Sequence, residues 1–331
     1  MLNIGKLDSE LLEKIVFENI HYRRPEVLTR PGIGEDCAVI DFEAYDCVIS
    51  TDPITAAISD IGRLAIHISC NDVASNGVQP IGIMLAVLLP VGTTAEEIEE
   101  MMHQAAVAAE ALEVEIIGGH TEVTSAVNKP VIVSTAVGRG DKETAARMGD
   151  PRPGDVVMMT KSAGLEGSGI IACDFEKELN GVLTEEELAH AKSLLDRVSV
   201  VKEGVLAGKI GTSGMHDVTE GGILGALWEM CNVGKVGAEI RKDKVPVEDV
   251  TLKICRHFNI DYMRLISSGC MMILASPEKE DEIKAALKGA GIQVETIGAI
   301  KEASEGIVMV SEGKSQVVDP PAGDELYKVV G

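Results

Sequence analysis

Gly32-Ile33-Gly34-Glu35-Asp36-Cys37-Ala38-Val39-Ile40 is a two-glycine loop that hands an acid pair to an apolar run. The run reads as a β-strand over residues 37–42. Glycine lets backbone N–H groups approach a ligand, and an acid at the mouth of a strand is held stiffly. By itself such a loop is most often only a turn. Its weight comes from acids in the next two elements. Asp52 follows a second strand, 47–51, and Pro53 behind it is expected to stop that strand and leave Asp52 at its C-terminal edge. A helix capped by Ser59 or Asp60 should run to about residue 76, with Gly77 as its stop. The spacing 61, 65, 68, 72 puts Asp72 on its core-facing stripe. An isolated carboxylate there costs several kcal/mol, so it must be paired, hydrogen-bonded or bound to metal. For Asp72 alone, a backbone hydrogen bond and a metal are level readings. Together Asp36, Asp52 and Asp72 read as one site holding divalent metal for a phosphate-bearing ligand. Asn71 beside it could bond the ligand or the backbone.

The rest of the chain bounds what this site serves. The 331 residues can bury a large core and form two domains. A net charge of −23 disfavours a nucleic-acid partner, and 3% aromatic residues leave no base-stacking surface. No uninterrupted apolar run is long enough to span a bilayer, and the N-terminus lacks the pattern of a signal peptide. The seven cysteines contain no C-x-x-C and sit mostly in apolar runs, as buried thiols do, which points to a reducing cytoplasm.

Residues 8–20 have the spacing of a short amphipathic helix, with Leu11, Leu12, Ile15, Val16 and Ile20 on one face. Residues 81–89 form an apolar strand, and Thr94 with Glu97 is a capping box opening a helix to about residue 112. Residues 115–118 read as a short strand ending at the pair Gly118-Gly119, which suggests a tight turn or close approach to a ligand. His120 and Glu122 behind it are candidate ligand contacts. A strand over 131–137 closes this half. The glycines and prolines of residues 140–154, Gly149 among them, read as a junction. A second α/β half follows. Its conspicuous stretch is Met215-His216-Asp217-Val218-Thr219-Glu220-Gly221-Gly222, ahead of a helix over 223–230. A helix N-terminus after glycines favours anions. The plainer reading is an acidic N-cap supplied by Thr219 or Glu220, with His216 structural. The tail from Ser311 is polar and reads as peripheral. The boundaries are 1–29 for an N-terminal helix and arm, 30–140 and 152–310 for the two domains, and 311–331 for the tail.

Five motifs now stand in register: Gly34-Glu35-Asp36-Cys37-Ala38, Ser50-Thr51-Asp52, Asn71-Asp72, Gly118-Gly119-His120-Thr121, and Asp217-Val218-Thr219-Glu220-Gly221-Gly222. Their order and spacing over residues 30–310 resemble the aminoimidazole ribonucleotide synthetase (PurM-like) superfamily. That group includes selenophosphate synthetase, thiamine monophosphate kinase and the hydrogenase maturation protein HypE. Asp60-Ile61-Gly62-Arg63-Leu64-Ala65 and Asn71-Asp72-Val73-Ala74 look closest to the HypE-like, AIR synthase-related branch. The resemblance implies an α/β (α+β) fold of two domains. It implies a homodimer whose N-terminal domains share a β-barrel, with ATP near that interface and its phosphates bridged by Mg²⁺. Position by position, Asp36, Asp52, Asp72 and Asp217 match the metal acids. Gly34, Thr51, Asn71, Gly118, Gly119 and Thr121 match phosphate- or nucleotide-contacting segments. His120 and Glu122 are the candidates for acceptor contact or proton transfer.

The departures narrow the chemistry. HypE proteins end in a cysteine that carries the reacting group, whereas here no cysteine follows Cys270. Selenophosphate synthetases place a reactive cysteine ahead of the first motif, and none precedes Cys37. Thiamine monophosphate kinases have Asp where His120 stands. The expected function is Mg²⁺-dependent, ATP-dependent phosphoryl transfer to a small-molecule or carboxamide oxygen, with no nucleic acid or membrane partner. The alternatives are a kinase of the thiamine monophosphate type and a nucleotide-binding partner protein that has lost turnover.

Overall fold

The computed structural model describes residues 9–20, 22–55, 60–142, 150–320 and 323–330. Ser59 as a helix cap, Gly149 in the junction, residues 1–8 and Gly331 lie outside the described residues.

The first half contains helices α1 (Ser9–Ile15), α2 (Ile61–Ser75) and α3 (Ala95–Ala111). Its strands are β1 (Val27–Thr29), β2 (Ala38–Phe42), β3 (Tyr45–Ile54), β4 (Pro80–Leu89), β5 (Glu115–Val123) and β6 (Val131–Asp141). Among the described residues they form a sheet in the order β1-β2-β3-β6-β4-β5. The glycine loop leads straight into the hairpin of β2 and β3, with Ala38 opposite Ile49. Only β4 and β5 are parallel, joined through α3, whose Thr94–Glu97 capping box is complete.

The expected strand end at Pro53 is corrected. β3 continues along β6 as far as Ile54 opposite Ile132. Its other neighbour, β2, has left by Ile49, and a strand with one open edge tolerates a residue without an N–H. Of the two readings of Gly118-Gly119, a tight turn or a close approach to a ligand, the turn is corrected, because β5 runs through both glycines. A Cβ on Gly119 would stand 1.9 Å from the Leu85 carbonyl oxygen, so this glycine serves the close approach of β5 to β4. None of the residues of α1 is fully buried, and Leu11 and Leu12 on its apolar face are half-buried.

The described residues of the second half carry a seven-stranded sheet. Its strands are β7 (Val156–Thr160), β8 (Gly214–Asp217), β9 (Gly237–Arg241), β10 (Met271–Ala275), β11 (Val294–Lys301), β12 (Ile307–Ser311) and β13 (Lys314–Val317). The order is β13-β12-β9-β11-β7-β10-β8, antiparallel except for β9 with β12. The helices are α4 (Leu165–Asp174), α5 (Glu185–Ser193), α6 (Val201–Ile210), α7 (Gly222–Gly234), α8 (Asp249–Phe258), α9 (Pro277–Gly289) and α10 (Tyr327–Val330). One parallel pair in each mixed sheet gives the α+β form of the expected class.

α2 joins the halves. All of its residues except Arg63 and Ile68 are buried, because it packs on β3 and β6 on one side and on α6 and β8 on the other. A single buried stripe was the expectation, but a helix between two layers is buried all round. Backbones meet at this contact. A Cβ on Gly204 of α6 would lie 2.1 Å from the Ala74 carbonyl oxygen, and one on Gly208 would lie 2.6 Å from the Gly77 Cα.

The tail is not peripheral. β13 extends the second sheet, and Val318, Asp324 and Leu326 are buried. Asp324 accepts backbone N–H bonds from Gly221 at 2.7 Å, Leu326 at 2.8 Å and Ile266 at 3.2 Å. It therefore supplies what the sequence reading expected of Thr219 or Glu220, since Gly221 caps α7 with φ +90° and no side-chain cap. No helix among the described residues is long and apolar enough to cross a membrane.

Candidate active site

β3 alternates as a strand must, so Ser50 and Asp52 face α2 while Thr51 faces outward. Ser50 Oγ donates to Asp72 Oδ2 and lies 3.5 Å from Asp52 Oδ2. Asp36 reaches the same place from the loop before β2, and Asp217 from the end of β8. The Cys37 thiol reports the convergence. Burial first, then Asp72, Asp36, Asp217 and Asp52, push it well above its ordinary range. Asp72 is raised well above the carboxylate range by burial and by the neighbouring Asp217, Asp52 and Asp36. Four hard oxygen donors brought together in this way are a donor set suited to a divalent cation such as Mg²⁺.

A cationic side chain already serves part of this cluster. His216 Nδ1 donates to the Asp217 carbonyl oxygen at 2.6 Å, so Nδ1 carries a proton. Nε2 then faces Asp36 Oδ1 at 3.2 Å and Glu229 Oε2 at 3.3 Å. Burial pushes the imidazole down, but Asp36, Glu229 and Asp217 outweigh it and hold it at about 10. His216 is thus an imidazolium between the two domains. Sequence reading left it as structural, and nothing in its own neighbourhood pointed to Glu229, which comes from α7.

The acids of the first half open onto a cavity of about 950 Å³ between the domains. Its first-domain wall includes Asp36, Thr51, Asp52 and Asp72. Its second-domain wall includes Glu166, Thr219 and Ser268, and α10 closes one side with Tyr327 and Val330.

Other expected site residues lie elsewhere. Asn71 is fully buried, and its amide is spent between the domains, donating to the Val198 carbonyl at 2.8 Å and accepting from the Val200 N–H at 2.8 Å. Of the two partners open to Asn71 from sequence, ligand or backbone, the backbone takes its amide here. Gly34 has φ +78°, and a Cβ there would meet Val233 and the Glu229 carbonyl, so it admits α7 to the acid loop. Thr51 Oγ1 donates to the Ser134 carbonyl at 2.9 Å. Gly118, Gly119, His120, Thr121 and Glu122 sit on the exposed edge strand β5, with His120 Nε2 3.3 Å from Glu122 Oε2. In one chain β6 and β4 stand between β5 and β3, so these five residues do not join the acid cluster.

Two family models match this chain: the AIR synthase related protein N-terminal domain over residues 34–140, and the C-terminal domain over residues 152–311. The chain belongs to the AIR synthase-related family. A putative hydrogenase expression/formation protein of Methanocaldococcus jannaschii is 27% identical over 98% of this chain and 97% of its own length. Carbamoyl dehydratase HypE of Rhodobacter capsulatus is 24% identical over 98% of this chain and 95% of its own. Among solved structures, hydrogenase maturation protein HypE in complex with ATP superposes with a TM-score of 0.71. It is 22% identical and covers 96% of each chain. The fold of this AIR synthase-related chain is therefore the two-domain PurM-like fold, in its HypE-like form.

Within that family fold, sequence reading missed Glu166 and Ser268. Both belong to short Gly- and Ser-rich links, Leu165-Glu166-Gly167-Ser168-Gly169 and Ser267-Ser268-Gly269, that read as turn chemistry. The one available signal was an acid inside a glycine-rich helix start.

Proposed function

We propose that this chain is an ATP-dependent, Mg²⁺-requiring enzyme that transfers a phosphoryl group to the oxygen of a small-molecule or carboxamide acceptor. The observation that carries the reading is the convergence of Asp36, Asp52, Asp72 and Asp217 around Cys37, with three of them on the wall of one interdomain cavity. Asp36, Asp52, Asp72 and Asp217 would hold the metal, which when bound neutralises charge on the transferring phosphate. Ser50 orients Asp72, and His216 with Glu229 orients Asp36. Ile49, Ile54 and Leu64 give the cavity apolar sides that keep water from the reacting phosphate.

The active form in this reading is a homodimer. Ile81, Met84, Ile117 and Val123 are half exposed along β4 and β5, an apolar face suited to the shared barrel. That assembly is also the route by which Gly118, Gly119, His120, Thr121 and Glu122 would reach a nucleotide. The seven free cysteines fit a reducing cytoplasm.

The test is the melting temperature with ATP alone, Mg²⁺ alone and both, for the wild type and Asp52→Asn. A ligand at about a hundred times its dissociation constant stabilises by roughly 2.7 kcal/mol. The expected result is a shift that needs both ligands and disappears in the variant. A wild type that ignores both ligands overturns the reading.

A further inference from the structure

α10 stands between two hollows. Tyr327 and Val330 line the interdomain cavity, while Lys328, with Glu325 just ahead of the helix, lines an outer groove of about 600 Å³. The other wall of that groove is the C-terminal end of α8 and the turn after it, residues 259–262. Nothing in the phosphoryl-transfer reading uses this groove.

Its floor is apolar and its rim is charged. Cys255 and Ile260 are buried in the floor, and Leu252 and Tyr262 are half-buried beside them. The backbone holds this shape. Asn259 ends α8 in the left-handed conformation, φ +53°, and the Ile260 N–H donates back to the Cys255 carbonyl at 2.9 Å. The Lys242 ammonium lies 5.2 Å from the centroid of the Tyr262 ring and helps to fix it. An apolar floor with a few fixed polar groups is the usual make-up of a small-molecule site.

The charges on the rim divide into engaged and free. Glu325 accepts the Asp261 N–H at 3.2 Å and takes the Lys328 ammonium on both oxygens, at 2.6 and 2.7 Å. Asp261 Oδ1 accepts the Met263 N–H at 3.1 Å. Arg256, in the last turn of α8, is exposed, and among the described residues its guanidinium makes no ion pair or hydrogen bond although two acids share its groove. Lys328 keeps its third N–H beyond the two spent on Glu325. In a chain of net charge −23 most of the surface repels an anion, so a guanidinium whose acidic neighbours are already engaged marks a place for one. The arginine fork matches the oxygens of a carboxylate or phosphate with two parallel N–H bonds.

We propose that this groove binds a small anion, a carboxylate or phosphate carried on a flat apolar body. The Arg256 fork and the Lys328 ammonium hold the anion, and the body lies along Tyr262 and Leu252. The site is separate from the interdomain cavity and shares only α10 with it, so an occupant bears on the element that closes that cavity.

The probes are phenyl phosphate, benzoate, benzylamine and inorganic phosphate, titrated by calorimetry against the full chain in EDTA without nucleotide, so the result does not depend on the phosphoryl-transfer reading. The expected result is saturable binding of phenyl phosphate and benzoate, with benzylamine and inorganic phosphate weaker by roughly tenfold or more. Arg256→Ala should weaken phenyl phosphate by roughly tenfold, as for a lost hydrogen bond to a charged group, and Arg256→Glu should remove its binding. Arg256 is exposed and unpaired, so neither variant gives up a contact within the chain. Asp52→Asn, in the other cavity, should bind as the wild type does. Amide hydrogen exchange over residues 323–330 should slow when phenyl phosphate is bound. Benzylamine binding as tightly as the two organic anions, neither of those anions binding the wild type, an Arg256→Glu protein with unchanged affinity, or exchange over residues 323–330 that ignores the probe overturns the proposal. Loss of affinity in Asp52→Asn would place the anion in the interdomain cavity and overturn it as well. Inorganic phosphate binding as tightly as phenyl phosphate would leave Tyr262 and Leu252 without a part and overturn the assignment of the apolar body.

Discussion

His216 shows how one side chain sets the electrostatics of this site. Its folded pKa, about 10, lies above the unfolded value near 6.5 because three carboxylates outweigh burial. A raised base stabilises the fold fully below its unfolded pKa, and that stabilisation is lost as pH rises through the folded one. With divalent metal removed by chelation, unfolding free energy measured by urea titration should therefore fall between about pH 6.5 and 10. The loss should amount to several kcal/mol. Asp72, held up by burial and its acidic neighbours, contributes with the same sign but from the lower carboxylate range upward. The control is His216→Arg, which keeps a charge between Asp36 and Glu229 throughout and should flatten the upper part of the profile. An unchanged slope in that variant would show that the imidazolium is not the source.

At the level of elements, the C-terminal segment deserves its place in the cavity because of one carboxylate. Asp324 bonds three backbone N–H groups, from the start of α7, from the 265–268 loop and from its own turn. Asp324→Ala leaves those donors buried and unpaired, at roughly 1–3 kcal/mol for each such group. We expect a loss of about 3 kcal/mol in stability, read by denaturant midpoint, and new proteolytic cleavage between β13 and α10. Cleavage no faster than in the wild type would separate Asp324 from the anchoring of the tail. The same segment shows where sequence legibility ends. Hairpin β2–β3, the capping box of α3 and the helical position of Asp72 depend on local spacing, and each was readable from residues within a few positions. The tail was read as peripheral because two of the three partners of Asp324 lie more than fifty residues away. Gly118-Gly119 was read as a tight turn or a close approach to a ligand because a glycine pair looks the same whether it bends a chain, meets a ligand or lets another strand come close. Asn71 was left open between a ligand and the backbone because nothing nearby in sequence announces Val198 and Val200. Of the candidate site, the four clustered acids were legible as types at motif spacings, while Glu166, Ser268 and Glu229 became visible only once distant elements were packed.

At the scale of the whole molecule, the site exists because two domains are held at one angle. Its clustered acids come from both halves, and the cavity wall changes domain between Asp72 and Glu166. The angle is fixed where α6 lies against α2 with glycine at the contact. Gly204→Ala would drive a Cβ to 2.1 Å from the Ala74 carbonyl oxygen, a distance no real contact shows. It should force the domains apart and cost roughly 3 kcal/mol or more of stability, with the Mg²⁺–ATP melting shift reduced in step. Gly289→Ala, where a Cβ would meet nothing within 4 Å, is the matched control and should leave both measurements unchanged. Equal behaviour of the two variants would mean that the domains tolerate a wider spacing than the structure gives them.

The burial of α2 on both sides bears on how the gene could be divided. The two family models leave a natural cut between residues 140 and 152, but the piece before that cut would carry an α2 stripped of α6 and β8. Expressed apart, the halves would each present a sticky, half-naked face. Expressed together, they have the makings of a split protein, in which reassembly of two fragments restores activity and can report that whatever is fused to them has come into contact.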